Sequence, residues 1–250
     1  MQLVKLYKAD AIVLRSRDCG EGNKILVLYS REYGKLRVMA HGVAKPSSRK
    51  RGAVQLFSRT NFLIHQGREL DSVSQCEVVE MFPALRGELG SISQASYMTE
   101  LVDVFTPEGE PNEPLFLLLV ATLRLLALKD PELLIRAFEV KVAGLLGYRP
   151  VLDACAGCGG VLQAPLFFSP AMGGVLCSAC KLADPDATPC SRGQVEILKI
   201  LTNWDPVRLH QLKVEGSTRK QLQTMLQKYI RYHLEGELKS AAFLSLYGKA

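Results

Sequence analysis

The spacing of apolar and polar positions changes along the chain from a period of two to a period of three or four. In residues 1–80, short apolar runs are separated by glycine and proline, and basic and apolar side chains alternate over residues 35–38. Such alternation is typical of a half-buried strand. The pattern predicts five strands, over residues 11–14, 24–29, 35–40, 55–65 and 69–80.

The five predicted strands follow one another closely, with no room for a crossover helix between them. This arrangement predicts a small antiparallel barrel, and the OB type is the commonest such barrel at this size. The strand count alone fits an SH3-like barrel as well. The first 80 residues are therefore expected to form a closed β domain.

The rest of the chain has helical spacing, interrupted once. Apolar residues at three- and four-residue steps predict helices over residues 91–105, 115–128, 192–204 and 217–236, and one from Glu132 to Gly144 or Gly147. Residues 150–190 are rich in turn formers and contain five of the seven cysteines. The predicted fold is α+β and multidomain, with an OB-type barrel over 1–82, a helical domain over 83–149 and 191–250, and an inserted cysteine module over 150–190.

The cysteine module contains two Cys-x-x-Cys pairs. Cys155 and Cys158 are followed by eighteen other residues, and then by Cys177 and Cys180. Two such turns present four thiolates to one ion, which is a ligand set typical of tetrahedral zinc. Because four protein ligands leave no position for water, the predicted zinc finger is structural. Two redox pairs, a degenerate site and an iron–sulfur cluster are alternatives, the last less compatible with this spacing.

Three cysteines lie outside this pattern. Cys19 and Cys76 fall in the barrel segment, where a small buried side chain is expected. Cys190 lies close to the predicted finger and is expected to be a free thiol, although it could substitute for a ligand.

The formal charge of +6 is unevenly distributed. Residues 1–80 hold 14 Lys and Arg against 8 Asp and Glu, and residues 191–250 hold 10 against 5. The middle of the chain is acidic. Two basic ends favour a polyanionic partner.

The segment from Tyr33 to Arg68 contains eight basic residues and no acidic one. Its alternation places two of the basic residues on the strand face opposite the core, and residues 45–51 form an expected basic loop. A basic strand face beside a basic loop suits a phosphate backbone, although a basic loop can also serve only solubility. The predicted nucleic-acid contacts are Lys35, Arg37, Lys45, Arg49, Lys50 and Arg51.

Composition and motifs argue against several classes of protein. An apolar fraction of 48% and a charged fraction of 22% are close to globular averages, which excludes a wholly disordered chain. The longest apolar run, residues 115–123, is much shorter than the roughly 20 residues of a membrane span, and no leader opens the chain, so a cytoplasmic protein is expected. Phosphate-binding loops and nucleophile elbows are absent from the sequence. No enzymatic activity and no catalytic residue are predicted.

Several short segments occur in the order found in a known family. They are Ala11-Ile-Val-Leu-Arg-Ser-Arg17, Tyr33-Gly-Lys-Leu36, His41-Gly-Val-Ala-Lys45, Arg231-Tyr-His-Leu-Glu235, Leu238-Lys-Ser240 and Phe243-Leu244. With the order of barrel, helices, cysteine module and helices, they make nearly the whole chain similar to the RecO recombination mediators of bacterial DNA repair.

The resemblance implies a non-enzymatic protein with an N-terminal OB fold that binds single- and double-stranded DNA and anneals complementary strands without ATP. It implies that the protein acts with RecR to help RecA replace single-stranded DNA-binding protein, in the RecFOR pathway, at the bacterial nucleoid. The C-terminal tail of single-stranded DNA-binding protein would bind the helical domain, where Arg124, Lys129 and Arg136 are the candidates. Only part of the family has the zinc cysteines, so zinc is predicted from their spacing. The competing class is a zinc-ribbon, OB-fold adaptor that binds RNA or protein in transcription or translation.

Overall fold

A computed structural model describes residues 5–45, 48, 50–126, 130–233 and 238–247. The chain forms two compact units. The barrel unit comprises Met1–Ala127 and Leu238–Ala250, and the cysteine unit comprises Leu128–Glu237. Among the described helices, none combines the length and the apolar character that a membrane span requires.

The barrel unit begins with the predicted five strands. They are β1 (Leu6–Cys19), β2 (Asn23–Ser30), β3 (Gly34–Ala40), β4 (Arg59–His65) and β5 (Asp71–Glu80). Their order is β1-β2-β3-β5-β4, and the sheet closes because β4 pairs back to β1. Of the described strand-to-strand pairings in this barrel, the short one between β3 and β5 is parallel and the others are antiparallel. The predicted OB-type barrel is confirmed.

β1 is much longer than the apolar run at residues 11–14 predicts. Its first half pairs with β4 and its second half with β2, and the register shifts between Val13 and Arg15. A bulge of this kind bends a strand, so one strand can serve two neighbours around a small barrel. Four polar residues interrupt the apolar positions of β1 on both sides of residues 11–14, Lys8, Asp10, Arg15 and Arg17, so a search for apolar runs finds only the middle of the strand.

The segment before β4 differs from the prediction. Residues 55–57, predicted as strand, form a turn in which Phe57 has a φ of 69° and a buried side chain. The N–H of Phe57 donates to the carbonyl of Val13 at 2.9 Å, outside the strand ladder. The aromatic ring is thus buried from a loop, and the strand begins only at Arg59.

Three helices complete the barrel unit: α1 (Leu89–Phe105), α2 (Glu113–Leu126) and, from the end of the chain, α6 (Lys239–Tyr247). α6 packs on α1, where the Glu100 carboxylate accepts hydrogen bonds from the backbone N–H groups of Lys239 (3.1 Å) and Ser240 (2.8 Å). A side chain of α1 therefore satisfies donors that the first turn of α6 leaves unpaired.

The cysteine unit combines helices with a small sheet. Its helices are α3 (Pro131–Leu145), α4 (Arg192–Asn203) and α5 (Gly216–His233), and its strands are β6 (Leu166–Ser169), β7 (Gly174–Leu176) and β8 (Thr188–Cys190), in the order β7-β6-β8. The start of α3 is capped by the residue before it. Asp130 accepts hydrogen bonds from the N–H groups of Glu132 and Leu133, and Pro131 opens the helix.

An aromatic cluster surrounds the imidazole at the end of α5. The ring of His233 lies 4.5 Å from that of Tyr229, 4.8 Å from that of Tyr148 and 5.2 Å from that of Tyr232, measured between centroids. Its Nε2 is buried without a hydrogen-bond partner among the described residues. Burial lowers the pKa of His233, while burial raises the pKa of Tyr229 to about 12 and keeps that neighbour neutral. The folded protein therefore favours the uncharged imidazole.

We expect this group to make the cysteine unit less stable in mild acid. The folded-state pKa of His233 lies below the unfolded value of about 6.5. The neutral imidazole therefore contributes its full stabilisation to the folded unit above about pH 6.5, and this contribution is lost as the pH falls through the folded-state pKa. One proton changes the free energy of unfolding by at most about 1.4 kcal/mol per pH unit. Thermal melts of His233→Phe between pH 8 and pH 5 should show a shallower loss than wild type. His210→Gln, at an exposed histidine of the same unit, should retain the wild-type profile. Equal acid sensitivity in all three proteins would contradict this assignment.

Candidate metal centre and nucleic-acid interface

The structure brings all four predicted metal ligands together. The Sγ atoms of Cys155, Cys158, Cys177 and Cys180 all lie within 4.8 Å of one another. Four sulfurs around one tetrahedral zinc at about 2.3 Å would be about 3.8 Å apart, and the Sγ atoms of Cys158 and Cys177 are separated by 4.0 Å. The four thiols can therefore hold one metal ion.

Tight turns position the two pairs. The N–H of Gly159 donates to the carbonyl of Cys155 at 2.8 Å, and the N–H of Cys177 donates to the Sγ of Cys155 at 3.4 Å. A Cβ on Gly157 would stand only 3.1 Å from the Sγ of Cys180. The glycine between the first two cysteines thus leaves space for the second pair, and a backbone N–H of one pair stabilises a thiolate of the other.

Before any metal binds, the thiols of Cys155 and Cys180 differ strongly in pKa. Burial raises the pKa of the Cys155 thiol, but backbone N–H groups of both turns outweigh burial and bring that pKa down to about 6. Hydrogen bonds with the other three thiols raise the pKa of Cys180 to about 12. A bound cation would favour the thiolate at every position, and its binding would release the remaining protons.

The predicted basic strand face lies on the outside of the barrel. Across β1, β2 and β3, Arg15 pairs with Val27, and Val27 pairs with Arg37 in the next strand. Directly paired residues share one face of a sheet. We call this surface the strand face; its residues are Arg15, Arg17, Ile25, Val27, Lys35 and Arg37. Sequence reasoning assigned Lys35 and Arg37 to it but not Arg15 and Arg17, because β1 was not predicted to extend that far.

A cleft of about 670 Å³ separates the strand face from α1 and the start of α6. On its far wall, Asp103 lies 2.6 Å from Arg15 (Oδ2 to Nε) and 3.5 Å from Lys35 (Oδ1 to Nζ). Lys35 also donates to the carbonyl of Asp103 at 2.5 Å, and its side chain is only 14% exposed. Arg37, 57% exposed, has its Nε 3.9 Å from a carboxylate oxygen of Glu108. The face cations therefore already have acidic neighbours.

The predicted basic loop is described in part. Arg51 is exposed, and the Nζ of Lys50 donates to the carbonyl of Ser74 on β5 at 2.5 Å. The side chain of Lys45 lies beside Gly22, where its Cγ would be 3.1 Å from an added Cβ. Arg49 lies outside the described residues. Two of the three described cations of the loop, Lys45 and Lys50, therefore lie against other parts of the barrel unit.

The candidates for binding a protein tail lie in different surroundings. Arg124 makes a two-pronged ion pair with Glu80 in the barrel unit, with the shortest distance 2.6 Å. Arg136 is buried in the cysteine unit, and its Nη1 lies 2.9 Å from Glu139. Lys129 falls outside the described residues. A solvent-exposed cation suits tail binding better than a buried one, so Arg124 is the stronger of the two described candidates.

Two family models match the chain, one after the other. Residues 1–82 match the family model described as "Recombination protein O N terminal", and residues 86–242 match "Recombination protein O C terminal". A protein of Pelotomaculum thermopropionicum named DNA repair protein RecO is 58% identical over 99% of this chain and 96% of its own length.

Two further relatives carry the same name. The protein of Desulforamulus reducens is 45% identical over 96% of this chain and 94% of its own length. That of Desulforudis audaxviator is 44% identical over 98% of both chains. With a closed N-terminal barrel, a helical remainder and both family models matched in order, the chain belongs to the RecO family of DNA repair proteins.

Proposed function

We propose that the protein is a non-enzymatic mediator that binds single- and double-stranded DNA and anneals complementary strands without ATP. The observation that carries this proposal is the row of cations on the outer face of the barrel, in a chain that belongs to a DNA repair family. Side chains on that face have no role in the barrel core, and Arg15, Arg17 and Arg37 remain largely exposed, so a ligand can reach them.

Annealing requires that two polyanions approach each other. Cations that contact phosphates reduce the repulsion between strands and leave the base edges free to pair. Backbone contacts carry no sequence information, so any two complementary strands can be used. The strand face and the basic loop (residues 45–51) would supply such contacts, and little sequence preference is expected.

The mediator role extends to protein partners. RecR would act with this protein, and RecA would be loaded indirectly after single-stranded DNA-binding protein is displaced, at the nucleoid in the bacterial cytoplasm. The acidic tail of single-stranded DNA-binding protein would bind a cation of the helical region, with Arg124 as the exposed candidate. Its pairing with Glu80 means that a tail carboxylate would replace a carboxylate already present.

The four-cysteine centre would hold zinc in a structural role. Cys155, Cys158, Cys177 and Cys180 supply four soft ligands, which suits zinc and leaves no coordination position for a substrate. The ion would tie the two tight turns together and would take no part in DNA chemistry.

A strand-annealing assay tests this function. Two complementary labelled DNA strands, one coated with single-stranded DNA-binding protein, should pair several times faster with the full-length protein and no ATP. Arg37→Ala should reduce that acceleration because it removes an exposed face cation. Lys8→Ala removes an exposed lysine where β1 pairs with β4, away from the β1–β2–β3 face, and should retain full activity. No acceleration by folded wild type would contradict the mediator role. Tighter binding of RNA than of DNA would favour the adaptor alternative.

A further inference from the structure

Two acidic residues occupy fixed positions opposite the strand-face cations. Asp103 belongs to the last turn of α1, and only 6% of its side chain is exposed. A carboxylate in the last turn of a helix is disfavoured by the helix dipole, and burial adds to that cost. Arg15 and Lys35 supply the compensating charge. Asp103 is therefore tied to the cations of the barrel rather than to its own helix.

Glu108 is held beside β3 by the backbone. Residues 35 and 108 form an isolated parallel β-bridge, and the N–H of Gly109 donates to the carbonyl of Lys35 at 3.0 Å. This bridge fixes the chain two residues from Arg37 and keeps the Glu108 carboxylate within 3.9 Å of its guanidinium. The proximity of the two charges thus follows from main-chain geometry and does not depend on the side chains alone.

Three of the four face cations are paired with these acids. Arg17 is exposed and has no ion pair within the described part of the chain. Arg15 keeps 66% of its side chain exposed although its Nε contacts Asp103. A phosphate that approaches the cleft therefore meets cations that are accessible but already partly neutralised.

We propose that Asp103 and Glu108 restrain DNA binding by competing with phosphates for Arg15, Lys35 and Arg37. This inference rests on the proposed DNA-binding function and adds an internal competitor to it. When a phosphate displaces a carboxylate from its cation, the freed carboxylate takes up a counterion from solution. Phosphate binding at a paired cation therefore releases fewer counterions in total than binding at a free cation. The restraint keeps DNA contacts weak and exchangeable, as a protein that must release its annealed product requires.

Glu108→Gln is the sharpest test because both partners are exposed and neither fills the core. We expect this variant to bind a labelled single strand about threefold more tightly at 50 mM salt, the size expected for an exposed ion pair. The plot of log affinity against log salt should become steeper by about 0.7, the increment for one more single-strand phosphate contact. Asp103→Asn should act in the same direction, and it retains the backbone carbonyl that Lys35 contacts.

Two controls separate competition from a change in net charge. Glu110→Gln removes the same charge two residues away, from an exposed carboxylate without an ion pair among the described residues. In an Arg37→Ala background, the effect of Glu108→Gln should disappear, since the acid would then have no cation to neutralise. Equal effects of Glu108→Gln and Glu110→Gln, or an effect that persists without Arg37, would overturn the inference. Failure of wild type and all variants to bind DNA would refute the proposed function itself.

Discussion

Cys158→Ala should release the metal from the cysteine unit and lower the melting temperature of that unit by about 10 °C or more. Removing one of four thiolates leaves three ligands that cannot close a structural site. The expected effect is large because the apolar cluster around the four ligands is small. The barrel unit, which has its own apolar interior, should melt unchanged.

The small core around the ligands explains the size of this effect. The buried residues of that cluster are Cys155, Leu176 and Ala187, so one of the three is itself a ligand. Modules of about 40 residues seldom bury enough apolar surface to fold without a metal or a disulfide. The thiols of this module are all free of disulfides. The metal is therefore expected to be its main source of stability.

Cys190→Ala provides the matched control. Cys190 lies in β8 of the same small sheet, and burial raises the pKa of its thiol to about 11, which keeps it a neutral packing group. This variant should keep one metal ion per chain, while Cys158→Ala should have none by elemental analysis. Hydrogen exchange should show lost protection over residues 150–190 in Cys158→Ala alone. A metal-free Cys158→Ala with the wild-type melting temperature would contradict a structural role.

The clustering of the four cysteines could be predicted because its determinants are local. Each Cys-x-x-Cys pair is a single turn, and the glycines that allow the turns stand beside the ligands in the sequence. The five strands of the barrel were likewise predicted, except that β1 extends well beyond residues 11–14 at both ends and residues 55–57 are not strand. In residues 55–57, the apolar Phe57 is buried from a turn. The sequence pattern cannot distinguish an apolar residue buried from a turn from one buried in a strand.

The pairing of the face cations could not be predicted. Lys35 and Asp103 are 68 residues apart, and their contact depends on how α1 lies against the barrel. Alternation correctly placed Lys35 opposite the core but could not show that a helix covers it. The same limit applies to α6, whose nine residues are too few to show a distinct helical period and whose first turn is capped by Glu100 of α1.

Arg49→Ala/Lys50→Ala/Arg51→Ala should produce the largest change in DNA binding. Each phosphate contact contributes about −0.9 to the slope of log duplex affinity against log salt. Loss of three contacts should make that slope shallower by about 2.7, so raising the salt from about 50 to 200 mM should cost the variant about 40-fold less affinity than it costs wild type. Fluorescence anisotropy across a salt series measures both slopes on the full-length protein.

A charge-preserving variant separates phosphate contacts from loop structure. Arg49→Lys/Lys50→Arg/Arg51→Lys keeps three positive charges while changing every side chain, so its salt slope should match wild type. Phosphate contacts from exposed cations depend mainly on charge, whereas base recognition by arginine requires its fixed fork of donors. A wild-type slope in the alanine variant would remove the loop from the DNA surface. A reduced slope in the charge-preserving variant would instead indicate that specific geometry, and not charge, makes the contact.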